Sequence, residues 1–224
     1  MRINQFVASS SGLSRRAADA AITAGRVTVN GHLATLGQTV AASDRLTLDG
    51  QPLTLTTAHT YLMLNKPVGY VSSRARQGTD PTLYELLPER FQNLRIAGRL
   101  DRDSSGLIIL TSNGNFIQNL THPSSNKLKT YELALSTPLT AADRSKLASG
   151  VSLNDGPSRI GIVAARGKSL TVTIGEGRNR QLRRTFGALG YRIDRLHRTH
   201  IGPFAIADLA SGAWTEIEPG IIDL

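Results

Sequence analysis

Between Gly98 and Gly106 the chain gathers Arg99, Asp101, Arg102, Asp103, Ser104 and Ser105, with apolar residues following from Leu107. A polar loop that feeds a buried strand is a frequent seat of binding and catalysis. Two carboxylates at this spacing suit proton transfer, nucleophilic attack or joint ligation of a cation. The same residues also suit a solvated loop with local ion pairs, or an Asx turn at Asp103. Further on, Lys129 and Tyr131 stand two apart in a strand-like pattern, and Arg178, Arg180, Arg183 and Arg184 crowd a short segment before Phe186. A tyrosine offers a flat ring for stacking and a hydroxyl for proton transfer, although aromatic residues are common in strand cores.

The charge balance favours a polyanionic partner. The chain carries a net charge of +9, and between Lys168 and Arg198 eight basic residues face only Glu176 and Asp194. Soluble proteins this basic commonly meet nucleic acid. Cysteine is absent, which excludes disulfides, thiol nucleophiles and thiolate metal sites. His197 and His200 lie three apart without a third ligand nearby in sequence, so no metal site is expected. The first residues, MRINQFVASSSG, show no long apolar core or cleavage-like site, and no apolar run approaches a membrane span. A soluble cytoplasmic protein is the expectation.

The elements that must position these residues fall into two groups. Ile3, Phe6 and Val7 have helical spacing up to Gly12, and Ser14 is a good N-cap for a second helix from Arg15 to Ala24, stopped by Gly25. Alternation then predicts short strands at Arg26–Val29 and Arg45–Leu48, each followed by a hairpin signal, Asn30-Gly31 and Asp49-Gly50. The Thr-rich stretch from Gln51 to Thr60 reads as a linker. This gives a small helix-helix-strand module over residues 1–57 and a larger domain over 58–224. In the larger domain, strands are predicted at Tyr61–Leu64, Tyr70–Ser73, Leu107–Thr111, Tyr131–Leu135, Ile160–Ala164 and Leu170–Ile174. Helices are predicted at Asn115–Leu120, Ala141–Ala148 and Arg180–Leu189, the last capped by Asn179 and stopped by Gly190. The fold class is α+β, with a mixed, mainly antiparallel sheet and a central cleft.

Two stretches resemble known families. SRRAADAAITAGRVTVNG, followed by LGQTV and DRLTLDG, looks like the S4-type RNA-binding module over about the first 50 residues. The resemblance implies that Arg15, Arg16 and Arg26 touch RNA. GRLDRDSSGLIILT resembles the signature of the pseudouridine synthases of the bacterial ribosomal small-subunit synthase A and large-subunit synthase B family. LNKPVG, Lys129-Thr130-Tyr131, EGRNRQLRRTF and GPFAIADLASGAWTEI match further elements, with the catalytic-loop signature in its expected place among them. The resemblance implies a catalytic Asp101 supported by Asp103, an active-site Tyr131, and Arg183 as the arginine pairing with Asp101. Arg99, Lys129, Arg178, Arg180 and Arg184 are the remaining expected RNA contacts.

Pseudouridine formation breaks the C1′–N1 bond of a uridine and rejoins the ribose to C5, so it needs neither a cofactor nor a group donor. A stacked target must be flipped out, at a cost of a few kcal/mol that backbone contacts offset. Whether Asp101 attacks sugar or base, or serves as a base, stays open. So do two other readings: a catalytically silent rRNA-binding or assembly protein, and a hydrolase using Asp101 with Asp103. The expected partner is ribosomal RNA or an assembly intermediate, met by a monomer. NRQLRR, His122–Ser124 and SLNDGP look closer to the large-subunit branch, so 23S rRNA is the expected target, with 16S rRNA as the alternative.

Overall fold

The computed structural model describes residues 1–55, 58–125 and 127–218. They form two compact units, Met1–Thr60 with Ser112–Gly114, and Tyr61–Thr111 with the chain from Asn115 onward.

The first unit opens with α1 (Ile3–Ser11), which Gly12 ends in the left-handed conformation. Ser14 caps α2 (Arg15–Thr23), its hydroxyl accepting from the Ala17 amide at 3.1 Å. Strands β1 (Val27–Val29), β2 (His32–Leu33), β3 (Leu46–Leu48) and β4 (Gln51–Leu53) form an antiparallel sheet in the order β2-β1-β3-β4. Asn30-Gly31 and Asp49-Gly50 all have positive φ, as primed hairpin turns require. Ile3, Phe6, Val7, Ala18, Ile22, Val27 and Leu46 close one apolar core. β4 corrects the expected linker. The Asp49-Gly50 turn returns the chain onto β3, and Pro52 is tolerated because β4 is an edge. Residues 56 and 57 of that linker lie outside the described residues.

The second unit contains β5 (Tyr61–Lys66), β6 (Arg95–Ala97), β7 (Ser105–Thr111), α3 (Gly114–Thr121), β8 (Lys129–Leu135), α4 (Ala141–Ser149), β9 (Val151–Leu153) and β10 (Gly156–Ser158). There follow β11 (Gly161–Arg166), β12 (Ser169–Ile174), α5 (Gln181–Ala188), β13 (Ile193–Ile201), β14 (Phe204–Ala205) and β15 (Trp214–Glu216). Nine strands form one sheet along the path β11-β12-β8-β13-β7-β5-β15, with β14 beside β13 and β6 beside β7. β9 and β10 make a separate hairpin. Strand β7 is buried on both faces. Ile108 and Leu110 join the core that includes Leu182 and Phe186 of α5, while Leu107 and Ile109 join the one under Phe116 and Leu120 of α3.

Among the described strands, only β7 and β13 pair in parallel, with Ser105 opposite His197 and Gly106 opposite Arg198. A Cβ on Gly106 would stand 2.2 Å from the Arg198 carbonyl oxygen, and its φ is +111°. Only glycine lets these backbones approach so closely.

Three further expectations are corrected. Residues 70–73 form no strand; the Val71 amide donates to Pro81 O and the Leu83 amide to Val71 O, so this segment is a loop stapled to another loop. Arg180, not Asn179, caps α5, with φ +46° and no side-chain cap bond. The nine-residue β13 was not anticipated. Its charged, twice-bulged sequence hides the alternation that would announce a strand.

Candidate active site

The loop from Gly98 to Ser104 is held from beneath by side chains of strand β13 and of the 70–73 loop. Arg198 on β13 is only 2% exposed. Its Nε donates to Leu107 O at 2.8 Å, Nη2 to Gly98 O at 3.0 Å and Nη1 to Arg99 O at 3.4 Å. Ser72 Oγ donates to Leu100 O at 2.7 Å and accepts from the Leu100 amide at 3.2 Å. Lys66, at the end of β5, is fully buried, and its Nζ donates to Pro67 O and Tyr70 O, each at 2.8 Å. Burial pushes its pKa down to about 8, against the opposing pull of Asp103 and Asp101. None of these three residues was singled out from sequence as a site residue. A lysine before a proline and a charged strand carry no signal that they will be buried.

Above this frame lies a cleft of about 640 Å³. Asp101, Tyr131 and Arg183 all line it, together with Arg99, Lys129, Glu176, Arg178 and Arg180. Tyr131 is buried on β8, facing the same side as Leu133 and Leu135. The Asp101 side chain is 32% exposed, and the Ser104 amide donates to its carbonyl oxygen.

The arginine pairing differs from the expected one. Arg183 contacts Asp103, with Nε 3.2 Å from Oδ2, and donates from Nη2 to Asp103 O and from Nη1 to Ile193 O. It is Arg180 that approaches Asp101, with Nη1 3.6 Å from Oδ2, while donating to both carboxylate oxygens of Asp103 at 2.9 and 2.8 Å. The left-handed backbone at Arg180, which costs about 1 kcal/mol, leaves its guanidinium on the loop. Arg183, one turn into α5, is spent on main-chain carbonyls.

Asp103 is therefore the hub of the loop. The hydrogen bonds from Arg180 hold its carboxyl below the usual carboxylate range; partial burial opposes them, and the charges of Arg183 and Arg180 reinforce them. A carboxyl with a lowered folded pKa adds stability above its unfolded pKa of about 4 and loses it as pH falls through the folded value. Asp103→Asn is thus expected to melt below the wild type at pH 7, with the gap closing below about pH 4. Calorimetry across that range checks it, and a gap that is independent of pH would contradict the ion-pair account.

The other expected RNA contacts divide. Arg99 is exposed in the cleft, and Arg15 and Arg16 are exposed in the first turn of α2. Arg26 forms an exposed pair with Asp49. Arg178 donates to the carbonyl oxygens of Asp155, Gly156 and Pro157 and pairs with Asp155 and Glu176. Arg184 bonds Asp155 and Asn179 O and does not line the cleft. These last two arginines clamp the β9–β10 hairpin to the start of α5.

Residues 60–188 match the RNA pseudouridylate synthase family model, more than half of the chain. The chain belongs to that family. Residues 1–46 match the S4 domain. The ribosomal small subunit pseudouridine synthase A of Pasteurella multocida is 36% identical over 97% of this chain and 96% of its own length. The protein of that name from Escherichia coli K12 is 34% identical over 96% of this chain and 95% of its own. A crystal structure of a pseudouridylate synthase superposes with a TM-score of 0.73 at 30% identity, covering 100% of this chain and 98% of that one. The α+β fold read from the sequence is thus that of a pseudouridine synthase. Among the described residues of the synthase, no helix is long and apolar enough to cross a membrane. Its cleft combines a carboxylate, a phenol and a wall of guanidinium groups, a set able to hold an extruded nucleotide and move protons on it.

Proposed function

We propose that the synthase isomerises a uridine of small-subunit ribosomal RNA, with Asp101 as the catalytic carboxylate. The observation that carries this reading is the meeting of Asp101 and Tyr131 in one basic cleft, with Arg180 beside the aspartate. The target uridine leaves its stack and enters the cleft. Asp101 acts on the nucleoside as the C1′–N1 bond breaks. Tyr131 stacks on the uracil and takes part in removing the C5 proton after rejoining. Arg180 orients Asp101, whereas Arg183 fixes the loop through Asp103. Arg99, and Arg15 and Arg16 of the S4 domain, contact RNA phosphates.

The choice of small-subunit RNA departs from the expectation drawn from short segments such as NRQLRR. Two relatives matched over almost their whole length carry the small-subunit name, and likeness over some 220 residues outweighs three short stretches. The synthase is read as a cytoplasmic monomer, which light scattering with and without RNA checks.

The test is tritium release from 16S and 23S rRNA transcripts labelled at C5 of uridine. Release from 16S alone is expected. Release from 23S alone overturns the choice of subunit, and release from neither, with RNA binding intact, supports a silent assembly protein. Shortened RNA, abolished by EDTA, would favour a hydrolase.

A further inference from the structure

Lys129 opens β8 two residues before Tyr131, and both are buried on the same face of the strand and line the cleft. It is 7% exposed. Yet no acceptor among the described residues takes a hydrogen bond from its ammonium, and Nζ is not sealed from the cleft as the buried unsatisfied atoms are. The other deeply buried cations of this unit are committed. Lys66 is held by two carbonyls and Arg198 by three. A lysine whose stem is buried while its unbonded ammonium faces a cleft is placed for a ligand in that cleft to complete its hydrogen bonds. Two charges act on Lys129 from the elements around it. Burial and then Arg198 on β13 lower its pKa, and Glu176, in the segment before α5, partly opposes them by favouring the protonated form.

We propose that Lys129 is a base-reading catalytic residue, whose ammonium donates a hydrogen bond to a carbonyl oxygen of the extruded uracil. This rests on the reading that uridine is isomerised in this cleft. When C1′–N1 breaks, its electron pair leaves with N1 and spreads onto the two carbonyl oxygens. A cation placed at those oxygens stabilises the charge at the moment it develops. The C1′–C5 bond then forms, C5 loses its proton, N1 regains one, and the product is an isomer of the substrate. Lys129 keeps its proton throughout. Tyr131 beside it supplies the stacking surface, so strand β8 contributes both the platform and the charge. A lysine serving only as a phosphate contact would sit at the rim, as Arg99 does, rather than nine-tenths buried beside the aromatic ring.

The test uses the full chain and a C5-tritiated 16S rRNA transcript under single-turnover conditions. Lys129→Met and Lys129→Gln are expected to slow tritium release by about 10²–10³-fold, with RNA Kd within about threefold of wild type and unchanged melting temperatures. Release within threefold of wild type in both variants overturns the assignment. So does a loss confined to Kd with the salt dependence of binding shallower by about one phosphate contact, which would make Lys129 a backbone contact. Failure of both variants to fold would assign the lysine to structure and overturn it equally. A wild type that releases no tritium brings down the uridine reading itself, and is told apart from these outcomes by the control.

Discussion

Asp101→Asn is expected to bind rRNA within about threefold of the wild type and to release tritium from C5-labelled uridine at least about 10³-fold more slowly. The two parts have separate grounds. The carboxylate makes one long contact, at 3.6 Å to Arg180, and its side chain is partly exposed. The amide therefore costs the loop little stability. The loop stays in place because Arg198, Ser72 and Asp103 hold it. An amide of the same shape can neither attack carbon nor accept a proton at neutral pH, so the loss falls on the chemical step. Single-turnover release beside a filter-binding Kd separates the two. A variant as active as the wild type would remove Asp101 from the chemistry. Asp103→Asn makes the useful contrast, since its loss should register first in stability.

Gly106→Ala should be the most damaging single methyl in the catalytic unit. The added carbon would meet the Arg198 carbonyl oxygen at 2.2 Å and its amide nitrogen at 2.5 Å, both backbone atoms that no rotamer change can move. The strands must separate, or the residue must leave a φ of +111° that alanine resists. Either route loosens the parallel seam on which Arg198 depends. A loss of about 3 kcal/mol or more is expected, which for a unit of this size lowers Tm by roughly 10 °C. Thermal melting checks it, and a Tm within about 2 °C of wild type would mean that the seam is wider than described. Activity should fall further than stability alone explains, because the loop carbonyls of Gly98 and Arg99 lose their anchor.

Much of the frame was legible in the residues, and what was not has physical causes. Helix caps and primed turns are local chemistry, so Ser14, Gly12, Asn30-Gly31 and Asp49-Gly50 announced themselves. Strand β7 was plain because both its faces are apolar. Strand β13 was hidden because one of its buried positions is an arginine and two bulges break the period of two. Nothing local marks Arg198 as a core residue, since its partners are carbonyls some 100 positions earlier in the chain. Tyr70–Ser73 looked like a strand by composition, but its backbone groups are taken by another loop. The candidate site followed the same rule. Asp101, Tyr131 and Arg183 do line one cleft, but the partner of Asp101 depended on the left-handed residue that starts α5. Charge counting could not show that Arg178 and Arg184 also hold the β9–β10 hairpin.

The seam between β7 and β13 has a bearing on how the enzyme is made. The guanidinium that fastens Gly98 belongs to a residue 100 positions later in the chain. A growing polypeptide has already produced its aspartate loop and its tyrosine while the strand that locks them is untranslated. Such distant pairings form late and slowly. A nascent chain halted before residue 193 would lack Arg198 and have no assembled cleft. The cleft therefore cannot be completed before residue 198 has been made.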